Sequence, residues 1–376
     1  MEKIVCTHLY NDFSGSPLIL STVVKGFLEK GMEVEVLTSS AEAGFLSDLP
    51  VRYVDNKYQF AENKLLRIVL FFWTQLRSFF QMLQYRDQEV VVYVNTLLPF
   101  GVALAGKWMN KKVVYHIHET SVKPAMLKGL LKWVAAKTAD ELIYVSDFLR
   151  KQEPIGNVSS KVVYNALSND FIETAKTYKK NKKENSEFIV LMLCSLKAYK
   201  GVGEFVEIAR GLPNLSFELV LNAEQTEIDA YFKNNVLPEN LTLFPKQNNV
   251  HIFYQRADLV INLSHPEQWV ETFGMTLLEG MQYGLPAISP PVGGCTEFVE
   301  HGVNGFQLDQ RDLSSIVKEI ATLSLDNEQY NEMSNKAKQM ATRFNVADMC
   351  LAICLITLGS ETIIPNDQLT KSMMKA

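Results

Sequence analysis

A repeated alternation constrains this chain more than any other feature. Short apolar, β-branched runs are separated by stretches with helical periodicity. In the first half the strand-like runs are 3–7, 33–38, 90–95, 112–118, 141–146 and 161–164, with amphipathic stretches such as 17–30 and 124–137 between them. Strands apolar on both faces belong in a parallel sheet with helices above and below it. Residues 172–187, IETAKTYKKNKKENSE, break the rhythm. They are lysine-rich and nearly free of apolar side chains, which reads as a solvated linker.

The alternation then restarts. Segments 188–193, 216–221, 240–244, 258–262 and 286–289 read as strands, and 202–210, 226–234, 275–283 and 312–322 as helices. Two more helical patterns, 327–343 and 347–358, close the chain. The expectation is an α/β protein with two Rossmann-like, doubly wound domains, 1–172 and 187–343. A ligand belongs in the crevice between them, at the carboxyl ends of the strands. The 376 residues suit two such cores better than one.

Composition narrows the function. Lys plus Arg number 37 against 42 Asp plus Glu, a net charge of −5, so no global attraction for nucleic acid is expected. Cys6, Cys194, Cys295, Cys350 and Cys354 are scattered and form no CxxC pair, which argues against a disulfide framework or a zinc site. The opening MEKIVCTHLYNDFSG has no apolar core of a signal peptide. No membrane-spanning run is evident. A cytoplasmic location is expected. Residues 65–83, LLRIVLFFWTQLRSFFQML, carry an apolar stripe at 65, 68, 69, 72, 76, 79, 80 and 83. Packing against the N-terminal domain is the ordinary use of such a stripe. Peripheral docking on the inner face of an anionic membrane is the alternative.

The segment richest in chemistry runs from Glu271 through Phe273, Gly274 and Met275 to Glu279. Gly274 can open a helix whose unpaired amides and positive dipole end suit a phosphate. Glu279, one turn inside, can accept two hydrogen bonds from adjacent hydroxyls such as those of a ribose. His116 and His118 share one face of a predicted strand. With Glu119 they lack a further ligand at metal-binding spacing, so no metal site is expected.

These motifs resemble the family-4 retaining glycosyltransferases, which have the GT-B fold. The resemblance continues through Gly293-Gly294-Cys-Thr-Glu297 and Gly302-Val-Asn-Gly305, through Lys200-Gly201, and through Val145-Ser146 and Asn165 in the first half. It implies transfer of a sugar from a UDP- or GDP-linked donor to a hydroxyl, with retention at the anomeric carbon and no metal or other cofactor. It further implies that Lys200 binds the donor diphosphate, Glu279 the ribose, and Glu271 with the backbone of Phe273, Gly274 and Met275 the sugar and its phosphate. His118 would meet the sugar from the N-terminal side, and Gly15 would lie in a loop near the diphosphate. The final helix, 346–358, would cross back onto the N-terminal domain.

The family places Arg where this chain has Ser195, and Lys197 is the nearest substitute cation, a solvated loop lysine being the alternative. Surface-polysaccharide or lipid-linked glycan assembly is the implied setting, with a glycan or lipid-linked acceptor. A nucleotide-sugar epimerase on the same architecture and a non-catalytic nucleotide-sugar binding protein are the rival readings.

Overall fold

A computed structural model describes residues 3–40, 43–178 and 187–359. The first lobe contains β1 (Lys3–Thr7), α1 (Gly15–Glu29), β2 (Glu33–Thr38), β3 (Arg52–Asp55), α2 (Lys64–Met82), β4 (Val90–Asn95), α3 (Phe100–Trp108), β5 (Lys112–Ile117), α4 (Ala125–Thr138), β6 (Glu141–Tyr144), α5 (Asp147–Gln152), β7 (Ser159–Val162) and α6 (Asn169–Thr177). The second contains β8 (Ile189–Cys194), α7 (Val202–Gly211), β9 (Ser216–Leu221), α8 (Gln225–Phe232), β10 (Leu241–Phe244), α9 (His251–Arg256), β11 (Leu259–Ile261), α10 (Met275–Gln282), β12 (Ala287–Ser289), β13 (Gly305–Gln307), α11 (Leu313–Leu325) and α12 (Asn327–Ala341). Last comes α13 (Val346–Leu358).

Both sheets are parallel. Their orders are β3-β2-β1-β4-β5-β6-β7 and β10-β9-β8-β11-β12-β13. In each, the chain winds outward from the middle in both directions, so strand order reverses between β1 and β4 and again between β8 and β11. Those reversal points are where an open α/β sheet leaves a crevice at its carboxyl edge. Side chains at the ends of β1, β4, β8 and β11 therefore converge without any special loop design.

The two strands absent from the sequence reading are β3 and β13. Both lie on sheet edges, and β3 is largely exposed, so neither needs the apolar run that marks a central strand. Residues 169–177 are helical, although the lysine-rich segment was expected to be a linker throughout. Ser168 caps α6 by accepting from Phe171 N. The Phe171 ring lies 4.4 Å from that of His251 on the second lobe. Residues 179–186 of the expected linker fall outside the described residues.

Residues Asn327–Leu358 are long and apolar enough, by composition, to span a bilayer, contrary to the sequence reading. The chain turns at 342–345, however, and α13 packs on α1. Met349, Ile353 and Cys354 join the core cluster of Ile4, Leu20, Val24, Phe27 and Tyr93.

Helix α2 departs from the ordinary amphipathic pattern. Its buried residues are Phe71, Thr74, Gln75, Ser78 and Met82. Gln75 Oε1 accepts from the Gly101 amide at 3.0 Å, which ties α2 to the start of α3. The more apolar face, including Leu65, Val69, Phe72, Trp73, Leu76 and Phe80, points outward. Packing of the stripe against the lobe, the ordinary expectation for this segment, is thus reversed.

Candidate active site between the two lobes

On the second lobe, β8 leads into a 3-10 turn over Ala198–Lys200 and then α7. Gly201 joins them with φ of 80°, and a Cβ there would sit 2.3 Å from Leu263 Cβ, so only glycine permits this turn. The turn delivers Lys200 to the cleft. Its Nζ lies 3.2 Å from Glu271 Oε2 and 5.3 Å from the centre of the Trp269 ring, which stacks on Tyr199. Asn262, just beyond β11, donates to the same Glu271 oxygen at 3.3 Å. Glu271 thus holds a cation and an amide in place, and both can turn to an anionic ligand.

Gly274 is the N-cap of α10 in left-handed conformation, and no side chain caps the helix there. Phe273 is buried among Tyr164, Phe298 and Phe344, so its backbone rather than its ring can serve the cleft. Met275 is partly buried against an apolar cluster shared by both lobes and against the cluster of the first lobe and α13. Glu279 lies further along α10, and Tyr254 donates to its Oε2 at 2.6 Å. Desolvation pushes the Glu279 carboxyl up to about 7, and the Tyr254 bond only partly opposes this. Tyr254 in turn stacks on Tyr283, whose hydroxyl meets His251 Nδ1 at 2.5 Å.

On the first lobe, His118 follows β5 directly. Its Nε2 is 2.9 Å from Asn95 Oδ1, at the end of β4. Asn95 Nδ2 donates to the Ser16 carbonyl at 3.1 Å and faces His8 Nδ1 at 3.0 Å. A carbonyl only accepts, so the Asn95 amide can be oriented one way, and His118 must carry its proton on Nε2. Its Nδ1 is left as an acceptor. Burial, together with His116 and His8, holds His118 well below the usual histidine range, so the ring is neutral at physiological pH. Glu119 accepts from the amides of Leu97 and His118 and so fixes the loop that carries the ring.

His116 is fully buried, and its Nδ1 pairs with the Tyr93 hydroxyl at 2.7 Å. Burial lowers its pKa to about 3. It lies in the core, while His118, only partly buried, stands just beyond the carboxyl end of β5.

Gly15 opens α1 with nothing within 4 Å of the position of a Cβ. Ser14 beside it lines a cavity of about 350 Å³ with Asp12, Phe13, Ala43, Asn222 and Lys246, which crosses from one lobe to the other. Lys246 Nζ sits 4.1 Å above the Phe13 ring. Lys197 is exposed and makes no ion pair or side-chain hydrogen bond among the described residues. Ser195 lies at the end of β8, where it offers a hydroxyl rather than a guanidinium.

The structure therefore joins Lys200 to Glu271 and sets Glu279 apart from them on Tyr254. It keeps His118 on the first lobe, where its hydrogen-bond partners among the described residues all lie. Asn95 and Asn262 were not singled out from the sequence, although both sit at strand ends beside a reversal point, the one signal that could have marked them. Glu297, the last residue of the Gly293–Glu297 string, joins the two lobes. Its carboxylate accepts from the Asp147 and Phe148 amides and from the Tyr164 hydroxyl, all on the other lobe. It thereby meets the positive end of α5 across the interface. Ser146 also crosses, donating to the Thr272 carbonyl at 2.7 Å. A Cβ at Gly294 would lie 2.0 Å from that carbonyl oxygen, so this close approach needs glycine.

Comparison with known proteins places the chain beside glycosyltransferases. Residues 14–153 match the family model "Glycosyltransferase Family 4", and residues 173–340 match "Glycosyl transferases group 1". N-acetyl-alpha-D-glucosaminyl L-malate synthase of Bacillus anthracis is 24% identical over 359 residues, covering 88% of this chain and 90% of that protein. Anabaena Alr3699/HepE, solved in complex with UDP and glucose, superposes with a TM-score of 0.74 at 21% identity, covering 95% of this chain and 99% of the other. WaaG, a glycosyltransferase involved in lipopolysaccharide biosynthesis, gives 0.69 at 17% identity, with 95% and 100% covered. At these identities the structural likeness speaks for the fold, and the family matches over both lobes carry the assignment: this chain belongs to the family-4-like glycosyltransferases of the GT-B fold.

Proposed function

We propose that the protein transfers a glycosyl group from a UDP- or GDP-linked sugar to a hydroxyl acceptor, with retention and without a metal. The observation that carries this reading is the Lys200–Glu271 pair beside the uncapped N-terminus of α10. When the bond from the anomeric carbon to the diphosphate breaks, negative charge grows on the leaving oxygens. Lys200 and the first α10 amides are groups suited to receive it. Glu279 accepts from the ribose hydroxyls, and His118 Nδ1 accepts from a sugar hydroxyl on the opposite wall. The acceptor oxygen bonds to the anomeric carbon on the face the diphosphate leaves, and its proton passes to a departing phosphate oxygen. No pair of carboxylates stands ready as nucleophile and acid among these residues, which favours the same-face route. A UDP-linked donor is the first choice, because the Anabaena protein of the same fold is solved with UDP-glucose. A glycan or lipid-linked acceptor fits the relative named for lipopolysaccharide biosynthesis.

The test is a thermal-shift screen of nucleotide sugars, then nuclear magnetic resonance of the product formed by whichever donor stabilises the chain. Release of nucleotide with an anomeric configuration matching the donor is expected. An inverted product refutes the same-face route. Binding without turnover across a panel of sugar and lipid-linked acceptors refutes the transferase reading in favour of a binding protein.

A further inference from the structure

Helices α2, α3 and α4 pack side by side on one face of the first sheet, while α1 and α13 cover the other. The outer surface of this three-helix layer is apolar to an unusual degree. Leu65, Trp73 and Met126 are 77%, 64% and 84% exposed, and Leu66, Val69, Phe72, Leu76, Phe80, Trp108, Leu130 and Trp133 are also exposed. Three of the chain's four tryptophans lie here, all exposed. A patch of this extent on a folded protein marks a contact surface.

Charge identifies what it contacts. The three helices carry seven basic residues, Lys64, Arg67, Arg77, Lys107, Lys128, Lys132 and Lys137, and no acidic one. Yet the whole chain has a net charge of −5. Asp140 pairs with Lys107, and Glu153 with Lys128 and Lys132, and exposed Glu62, Asp87 and Glu89 flank α2 beside exposed Arg86, so cations still outnumber carboxylates in and around the layer. Arg86 lies 5.8 Å from the Trp108 ring centre and Arg67 4.1 Å from that of Phe60, so cations accompany the exposed rings. Apolar side chains bordered by cations and tryptophans match the layered chemistry of a membrane interface, with acyl chains below and anionic headgroups above. A second copy of this chain fits poorly, because a two-fold contact through this face would set like charges against each other.

We propose that the α2–α3–α4 face docks on an anionic phospholipid bilayer. The helices run antiparallel to the strands, so their N-terminal ends lie at the carboxyl edge of the sheet, the edge that bears Asn95 and His118. A bilayer on this face would therefore lie beside the mouth of the cleft.

The test is sedimentation of the full chain with vesicles of phosphatidylcholine alone, and with about 30 mol% phosphatidylglycerol added. Binding is expected only to the anionic vesicles, and it should weaken as salt rises to about 0.5 M. Two variants probe the two halves of the argument. Trp73→Gln/Trp108→Gln/Trp133→Gln removes the apolar anchors, and Lys64→Glu/Lys137→Glu reverses charge at exposed sites while leaving the apolar surface intact. Each should lower the vesicle partition coefficient by about tenfold or more. Turnover of a nucleotide sugar in vesicle-free buffer should be unchanged in both, which separates this surface from the chemistry of the cleft. Absence of binding to anionic vesicles by the folded wild type overturns the proposal. So does a concentration-dependent dimer, seen by light scattering, that the tryptophan variant abolishes.

Discussion

Glu279 permits a test in which stability and function move in opposite directions. In an unfolded chain its carboxyl ionises near the ordinary 4.5, whereas in the folded protein burial raises it to about 7. Between those values the unfolded chain has released the proton while the folded one still holds it. Raising the pH through this window therefore favours unfolding, and above about 7 the full penalty remains. A gap of about 2.5 in pKa corresponds to ~3 kcal/mol. Glu279→Gln keeps the shape and can still accept from Tyr254, 2.6 Å away in the wild type, but it cannot ionise. The unliganded variant should thus be more stable than wild type by up to about 3 kcal/mol near pH 8, roughly 6–12 °C in melting temperature for a lobe of this size. Near pH 4.5 the two should converge. Nucleotide affinity should fall by roughly 10- to 150-fold, the loss of a charge-assisted bond of about 1.5–3 kcal/mol. Melting curves across pH, with titration calorimetry against UDP and GDP, provide both readings. Equal melting temperatures throughout refute the burial argument, and unchanged affinity removes Glu279 from the ribose site.

Other expectations follow from the first-lobe wall and the diphosphate site. His118→Ala should lower kcat by on the order of 10²-fold with nucleotide affinity nearly unchanged, because the contact forms on the sugar rather than the nucleotide; His116→Ala should instead lower the melting temperature. Rate loss in His116→Ala alone would reverse the assignment. Asn95→Ala should free the His118 tautomer and lower kcat by about tenfold without shifting KM for the donor, and a matching fall in melting temperature with kcat intact would make Asn95 merely structural. Activity should survive excess chelator, since Lys200 and the α10 amides supply the charge; loss on chelation with recovery on adding a divalent ion would overturn the metal-free reading.

Much of this architecture was legible in the sequence because buried parallel strands must be apolar on both faces. Strands β1, β2, β4 and β9 begin and end where the apolar runs do. The edge strands β3 and β13 were not legible, since an edge strand need not be apolar. Helix α6 was hidden because its apolar face is only Phe171, Ile172 and Ala175, set among polar and charged residues and fixed by Phe171 against His251 and by the Ser168 cap. The cleft residues divide in the same way. Lys200, Glu271, Glu279 and Glu297 belong to recognisable strings, whereas Asn95 and Asn262 gain their roles from partners 23 and 9 residues away. No local pattern encodes such pairings. The outward turn of α2 was illegible for a related reason: periodicity locates an apolar face but not the neighbour that receives it.

The return of α13 to the first lobe has a consequence for biosynthesis. The cluster built from Ile4, Leu20, Val24 and Phe27 is completed by Met349, Ile353 and Cys354, which the ribosome adds only after the whole second sheet. The part made first is thus finished last. Until residue 358 emerges, the nascent first lobe presents its α1 face without α13, and the second lobe has all its elements through α12 in hand before the first lobe gains its last helix. Chains released early, by a stop codon after 343, should therefore be captured by chaperones or proteases through the exposed α1 face, even though every residue of the cleft is present.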